Sequence, residues 1–166
     1  MKLVLPKDDY SGKIDLFLAG GISNCPDWQT DAALTLETMD ELVVANPRRS
    51  EGLEKTGVEA AKQIAWEHDA LKRADTILFW FPEETLCPIT LFELGVQVGK
   101  LDKKMFVGAH PNYARRFDIV QQMSLVPHWT VPPKVHDNLY GLLKEVINYH
   151  NFVNVQNDSV QKRGSQ

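Results

Sequence analysis

The sequence is poor in the features that usually announce a chemistry. Its two cysteines, Cys25 and Cys87, have neither CxxC spacing nor the density of a disulfide scaffold. A dithiol centre, a zinc ribbon and a stapled fold are therefore disfavoured, and buried or incidental thiols remain. The five histidines (His68, His110, His128, His136 and His150) lack ligand spacing, so no metal is expected. No basic run exceeds Arg48-Arg49 and Arg115-Arg116, and the net charge is −4, which argues against nucleic acid as a partner. The longest apolar run is far short of a membrane span, and the start, MKLVLPKDDY, lacks the apolar core of a signal peptide. A cytoplasmic protein without membrane association is expected. There is no GxGxxG fingerprint, and residues 43–47 offer no acidic partner for a ribose, so a dinucleotide redox site is disfavoured. No internal repeat or low-complexity tract is present.

What is there is an alternation of strand and helix. At 166 residues and 43% apolar, the chain fits one domain with a respectable core. Residues 1–12 read as a loose lead-in, 13–150 as the domain, and 151–166 as a polar, frayed tail. Strands are expected over 13–19, 42–45, 76–81, 104–109 and 128–131. Helices are expected over 27–39, 58–73, the segment after Pro82 that carries Glu93, 114–123 and 137–149. This order predicts an α/β, flavodoxin/Rossmann-like, five-stranded parallel sheet with helices on both faces. The centre of the chain is ADTILFWFPEETLCPITLFELGVQVGK, residues 74–100. Its apolar run suits a strand covered on both sides, and ligands in such sheets gather at the carboxyl ends of the strands.

Three features should converge on that edge: the glycine turn after the first strand, the polar loop after the second, and the helix after the third. Gly20-Gly21-Ile22-Ser23, at a helix start, offers backbone N–H groups and a hydroxyl to a phosphate or sugar; it reads equally as a tight turn that needs positive φ. On helix 58–73, Glu67 shares the inward stripe of Ala61, Ile64 and Leu71, whereas Asp69 is rotated by about 200°. A carboxylate on such a stripe either pairs with a buried donor, Arg48 or Arg49, or faces a cleft. Asp75, where that helix gives way to the strand, reads as a turn or capping residue and is a further candidate for substrate contact. Glu93 is either a helix-dipole acid or a nucleophile able to attack an anomeric carbon while a second carboxyl protonates the leaving group. Gly95 and Gly99 would let a neighbouring backbone approach. Trp28, Trp80 and Phe81 either stack on a ligand or pack in the core.

The runs FLAGGIS, WEHDALKRADTILFWFP and TLFELGVQVGK together resemble the nucleoside 2-deoxyribosyltransferase-like superfamily, in its bacterial and phage branch, over about residues 13–143. The superfamily also contains hydrolases of nucleoside 5′-monophosphates. The resemblance implies a nucleoside or nucleotide substrate, no cofactor and cleavage or transfer at an N-glycosidic bond. It implies Glu93 as the nucleophile and Glu67, where relatives usually carry aspartate, as the residue that handles the base or its proton, with Asp69 as a fallback. Gly20, Gly21 and Ser23 would lie against the sugar or its phosphate, and Arg48 could bind a 5′-phosphate. A homodimer or larger homo-oligomer is implied, because relatives complete their pockets across subunits. Where relatives often carry GxGxE, this chain has Pro88-Ile89-Thr90-Leu91-Phe92 before Glu93. Its rivals are a catalytically silent nucleotide-binding module and a flavin-binding redox protein.

Overall fold

A computed structural model describes residues 1–49, 57–100, 103–126 and 134–164. In chain order the elements are β1 (Lys2–Val4), β2 (Ile14–Gly20), α1 (Trp28–Leu36), β3 (Val43–Ala45), α2 (Val58–Arg73), β4 (Ala74–Phe81), α3 (Pro88–Val98), β5 (Lys104–Ala109), α4 (Arg116–Ser124), β6 (Val135–His136) and α5 (Leu139–Gly164). The strands form one parallel sheet in the order β1-β3-β2-β4-β5-β6. The fold is α/β and close to flavodoxin/Rossmann-like, with six strands among the described residues instead of five. Without β1, the order becomes that of a flavodoxin-like five-stranded sheet.

Two strands differ from expectation. β1 comes from the lead-in: Lys2, Leu3 and Val4 pair with Val43, Val44 and Ala45. Three residues are too few for a periodic signal, and only the exposed edge of β3 makes them a strand. The strand expected over 128–131 lies outside the described residues, and β6 is found at Val135–His136. The tail also differs, because α5 continues to Gly164 instead of fraying after 150. Extending an existing helix costs little per residue, so a polar segment follows without an apolar face to mark it.

β4 explains why the centre of the chain is so apolar. Ile77, Phe79 and Phe81 enter one core with Ala70, Leu71, Leu94, Ile119 and Met123, contributed by α2, α3 and α4. Leu78 and Trp80 enter the other with Trp28, Leu36, Leu142 and Val146, from α1 and α5. Successive side chains point to opposite faces, and both faces are covered. On α1, Trp28, Ala32 and Leu36, at four-residue spacing, are buried, as is Met39 just beyond its end. α1 begins where Asp27 accepts from the Thr30 backbone N–H at 3.1 Å. α2 departs from expectation: Ala60, Gln63, Ala70 and Leu71 are buried, while Ile64 is 64% exposed. Its inner stripe includes an amide held by hydrogen bonds, which hydropathy does not reveal.

The glycine turn after β2 is required by close packing. Neither Gly20 nor Gly21 has positive φ; among the described glycines only Gly57 does. A Cβ on Gly20 would lie 2.4 Å from the Trp80 carbonyl oxygen and 2.4 Å from Trp28 Cζ2. Gly20→Ala must therefore push two core elements apart. A cost of about 1–3 kcal/mol is expected, read as a Tm lower by several degrees in thermal unfolding.

Candidate active site

The chain runs from β2 to β3 on one side and returns to β4 on the other, so the sheet's topological switch lies between the carboxyl ends of β2 and β4. A cleft of about 460 Å³ opens there. Its floor is β2, with Phe17, Ala19 and Gly20, followed by Gly21. Ile22 and Ser23 line it from the following turn, Pro47 from the segment after β3, and Glu67 from α2. Thr85 and Cys87 from the loop after β4, and Pro88, Ile89, Thr90 and Glu93 from α3, complete it.

The glycine turn is fixed from both sides. The Gly21 carbonyl accepts from Trp28 Nε1 at 2.8 Å, Gln29 Nε2 at 3.1 Å and an Arg48 guanidinium nitrogen at 3.4 Å. On its Cα side, a Cβ would meet Thr85 Cγ2 at 2.8 Å and Cys87 Sγ at 2.9 Å. Cys87 precedes α3 in the left-handed region, at φ 47°. Burial pushes its thiol up to about 12, so it stays protonated and is no nucleophile at neutral pH. Thr90 and Glu93, three apart, share the cleft side of α3.

Glu93 is the sixth residue of α3 and lies beyond its first turn. The helix dipole acts mainly within that turn, so it does not account for an acid here. No hydrogen bond or ion pair reaches Glu93 among the described residues. Burial, and then the negative charge of Glu67, push its carboxyl up to about 7. Burial also raises Glu67, but a Gln63 hydrogen bond and the charge of Arg49 oppose the rise. Gln63 Nε2 donates to Glu67 Oε1 at 2.6 Å, and Arg49 Nε donates to Gln63 Oε1 at 2.5 Å. Glu67 thus lines the cleft and is also tied, through the Gln63 amide, to the half-buried Arg49.

Of the residues singled out from sequence, Glu93, Glu67, Gly20, Gly21 and Ser23 meet in this cleft. Arg48, Asp69 and Asp75 do not line it. Arg48 donates to Gln29 Oε1 at 2.9 Å and the Pro26 carbonyl at 3.0 Å, and pairs with Asp27 at 3.1 Å, so its charge holds the loop leading into α1. Asp69 is on the outer side of α2, paired with Arg73 at 2.7 Å. Asp75 is at the amino end of β4, paired with Lys13 at 2.7 Å. That end is about 20 Å along the strand from the cleft. Trp28, Trp80 and Phe81 are core residues, exposed by 6% or less.

Gln63, Thr85, Cys87 and Thr90 line or support the site without having been singled out for it. Only Gln63 carried a signal, its position four residues before Glu67 on one helix face. Among the described residues, no group of three or more His, Cys, Asp or Glu side chains is placed to hold a metal, and no helix is long and apolar enough to cross a membrane.

No curated protein matches the chain. Residues 13–113, however, match a protein family described as nucleoside 2-deoxyribosyltransferase like. The matched span contains β2 to β5 and every residue that lines the cleft. With a flavodoxin-like sheet and a pair of carboxyls at its switch point, the chain belongs to the nucleoside 2-deoxyribosyltransferase-like family.

Proposed function

We propose that the protein cleaves or exchanges the N-glycosidic bond of a nucleoside through a covalent glycosyl ester on Glu93. The observation that carries this reading is the convergence of Glu67 and Glu93 in one cleft, where burial raises both carboxyls and the charge of Glu67 raises Glu93 further. Breaking the bond between C1′ and the base leaves an oxocarbenium-like sugar, which needs negative charge at C1′ and a proton on the departing nitrogen. A pair holding one proton supplies both. Glu93 passes its proton to Glu67 as the carboxylate attacks C1′; the bond electrons move to the base nitrogen, which takes the proton from Glu67. Water or a second base then attacks C1′, displaces Glu93, and returns a proton to the pair. Ile22, Ile89 and Pro88 provide apolar contact for the base, and the hydroxyls of Ser23, Thr85 and Thr90 suit a sugar. Since Arg48 is committed to its own loop, an uncharged nucleoside is the first substrate to try, with its 5′-monophosphate as the comparison.

The test is incubation with ribo- and deoxyribonucleosides and their 5′-monophosphates, with and without a second free base, followed by chromatography. Free base from a nucleoside identifies a hydrolase, and exchange only with an acceptor identifies a transferase. Tight binding without product, unchanged in Glu93→Ala, would leave a silent binding module and end the catalytic reading.

The singly protonated pair is the working form, so kcat/KM should be bell-shaped in pH. Its alkaline limb should lie near 7, where Glu93 loses the shared proton. Its acid limb, where Glu67 gains a second proton, should lie above the ordinary 4.5. A profile flat from pH 5 to 9 would contradict this assignment.

We also propose self-association through α3. Ile89, Phe92 and Val96 are 65%, 71% and 45% exposed at three- and four-residue spacing, and a Cβ on Gly95 or Gly99 would meet nothing within 4 Å. Such an open apolar stripe with small residues suits a second helix. Ile89 also lines the cleft, so a partner there would border the substrate. Light scattering should give a multiple of 18.8 kDa, and Phe92→Asp should shift the mass to the monomer.

A further inference from the structure

A buried amide joins one of the two cleft carboxyls, that of Glu67, to a cation outside the cleft. Gln63 is 6% exposed. Its Nε2 donates to the Pro47 carbonyl at 2.9 Å and to Glu67 Oε1 at 2.6 Å, and its Oε1 accepts from Arg49 Nε at 2.5 Å. The orientation of this amide is dictated by chemistry. A backbone carbonyl only accepts and a guanidinium only donates, so the NH₂ group must face Pro47 and the oxygen must face Arg49. Glu67 Oε1 consequently meets a donor and must itself be an acceptor. Glu93 has no such partner among the described residues.

We infer that Gln63 is a positioning residue that decides which cleft carboxyl holds the proton in the empty site, keeping Glu67 as the carboxylate and leaving the proton on Glu93. This rests on the reading of Glu67 and Glu93 as the reactive pair, and it adds a residue that does not line the cleft and acts through its hydrogen bond to Glu67. The charged group that bears on Glu67 is Arg49, from the segment after β3, and Glu67 in turn bears on Glu93, from α3. Arg49 polarises the amide from one end and Glu67 takes the benefit at the other. The inference also orders the reaction: the proton must cross from Glu93 to Glu67 as the sugar is attacked, so that the acid is created beside the leaving base at the moment it is needed. The spacing of Gln63 and Glu67 on α2 keeps the donor aimed throughout, because residues four apart lie one above the other on a helix.

The test is a carboxyl titration by NMR of protein labelled with ¹³C at glutamate side chains. The two resonances are assigned by their loss in Glu67→Gln and Glu93→Gln. In the wild-type protein Glu67 should titrate at lower pH than Glu93. In Gln63→Leu and Gln63→Met the Glu67 midpoint should rise by about one pH unit, as expected when a carboxylate loses a directed donor. Arg49→Gln, which leaves the amide in place, should move it in the same direction by less. A Glu67 midpoint that stays put in both Gln63 variants, or a wild-type Glu93 that titrates first, would overturn the inference.

Turnover separates this inference from the reading beneath it. If the wild-type protein cleaves nucleosides, the acid limb of kcat/KM should move upward with the Glu67 midpoint in Gln63→Leu. A uniform loss of kcat with both limbs unmoved would assign Gln63 a purely structural role. If the wild-type protein turns over no substrate, the catalytic reading fails alone, and the titration still decides what Gln63 does to Glu67.

Discussion

Glu93→Gln should abolish turnover and at the same time make the protein more stable above neutral pH. The amide keeps the size of the side chain but cannot form a glycosyl ester, and loss of a covalent nucleophile costs about 10³-fold or more in kcat. Stability moves the other way because the wild-type carboxyl is held in a site that disfavours its charge. Its carboxyl is raised from the ordinary 4.5 to about 7. A raised acid binds its proton more tightly in the folded than in the unfolded state. Its contribution is intact below the unfolded value and is lost as pH rises through the folded one. The wild-type protein should therefore lose stability between about pH 4.5 and 7 and be worst off above that. The upper figure is roughly 3 kcal/mol at pH 8. Glu93→Gln removes the penalty, so unfolding at pH 8 should require more denaturant than for wild type, and the two proteins should converge near pH 4. A variant that is inactive and also less stable at pH 8 would mean that Glu93 holds the fold together, which the absence of any described partner argues against.

Glu67→Gln is expected to slow cleavage in a way that depends on the leaving base. The amide cannot deliver a proton to the departing nitrogen, which costs about 10²–10³-fold for an ordinary neutral base. A nucleoside whose base is already cationic, such as a 7-methylated purine, leaves without that proton. The variant should process it within about tenfold of wild type. Two substrates compared in one variant thus separate acid catalysis from general damage to the site. Removing the Glu67 charge also relieves Glu93 of the repulsion that helps to raise its carboxyl. The Glu93 titration should therefore shift to lower pH, and with it the alkaline limb seen with the cationic substrate. Equal losses for both substrates, with no movement of that limb, would remove Glu67 from the chemistry.

Both effects depend on a cleft that neither carboxylate could form alone. Glu67 comes from the crossover before β4 and Glu93 from the crossover after it. The strand between them is the most thoroughly buried in the sheet, with every residue from Thr76 to Phe81 at 6% exposure or less. The close fit of Gly20 against Trp80 sets β2 beside it, and Gly21 sets the same turn against the loop that leads into α3. The site is thus built from the backbone outward, with rigid elements on both sides of the pair and an open face toward the substrate.

Sequence alone determined β2 to β5, the five helices and their order, but not β1 or the place of β6. Uninterrupted apolar runs marked β2, β4 and β5, and threefold and fourfold spacing marked the helices, because period reflects which side of an element meets the core. The same logic put Glu67 inward and Asp69 outward on α2, and the ELG segment pointed to Glu93. Tertiary structure decided what period cannot express. Chain order already puts Asp75 at the start of β4, the end opposite the cleft, and the fold shows that its charge is taken up there by Lys13. Period does not say what a charge will meet. Arg48 stands free in the sequence, but in the fold it is taken up by Gln29, Pro26 and Asp27. β1 became a strand only because β3 had an unpaired edge. Gln63 is buried because its three hydrogen bonds are satisfied, and that stabilisation belongs to Pro47, Arg49 and Glu67 together. Burial by apolarity is written in single residues and can be read along the chain. Burial by hydrogen bonding exists only between partners, and the partners are chosen by the fold.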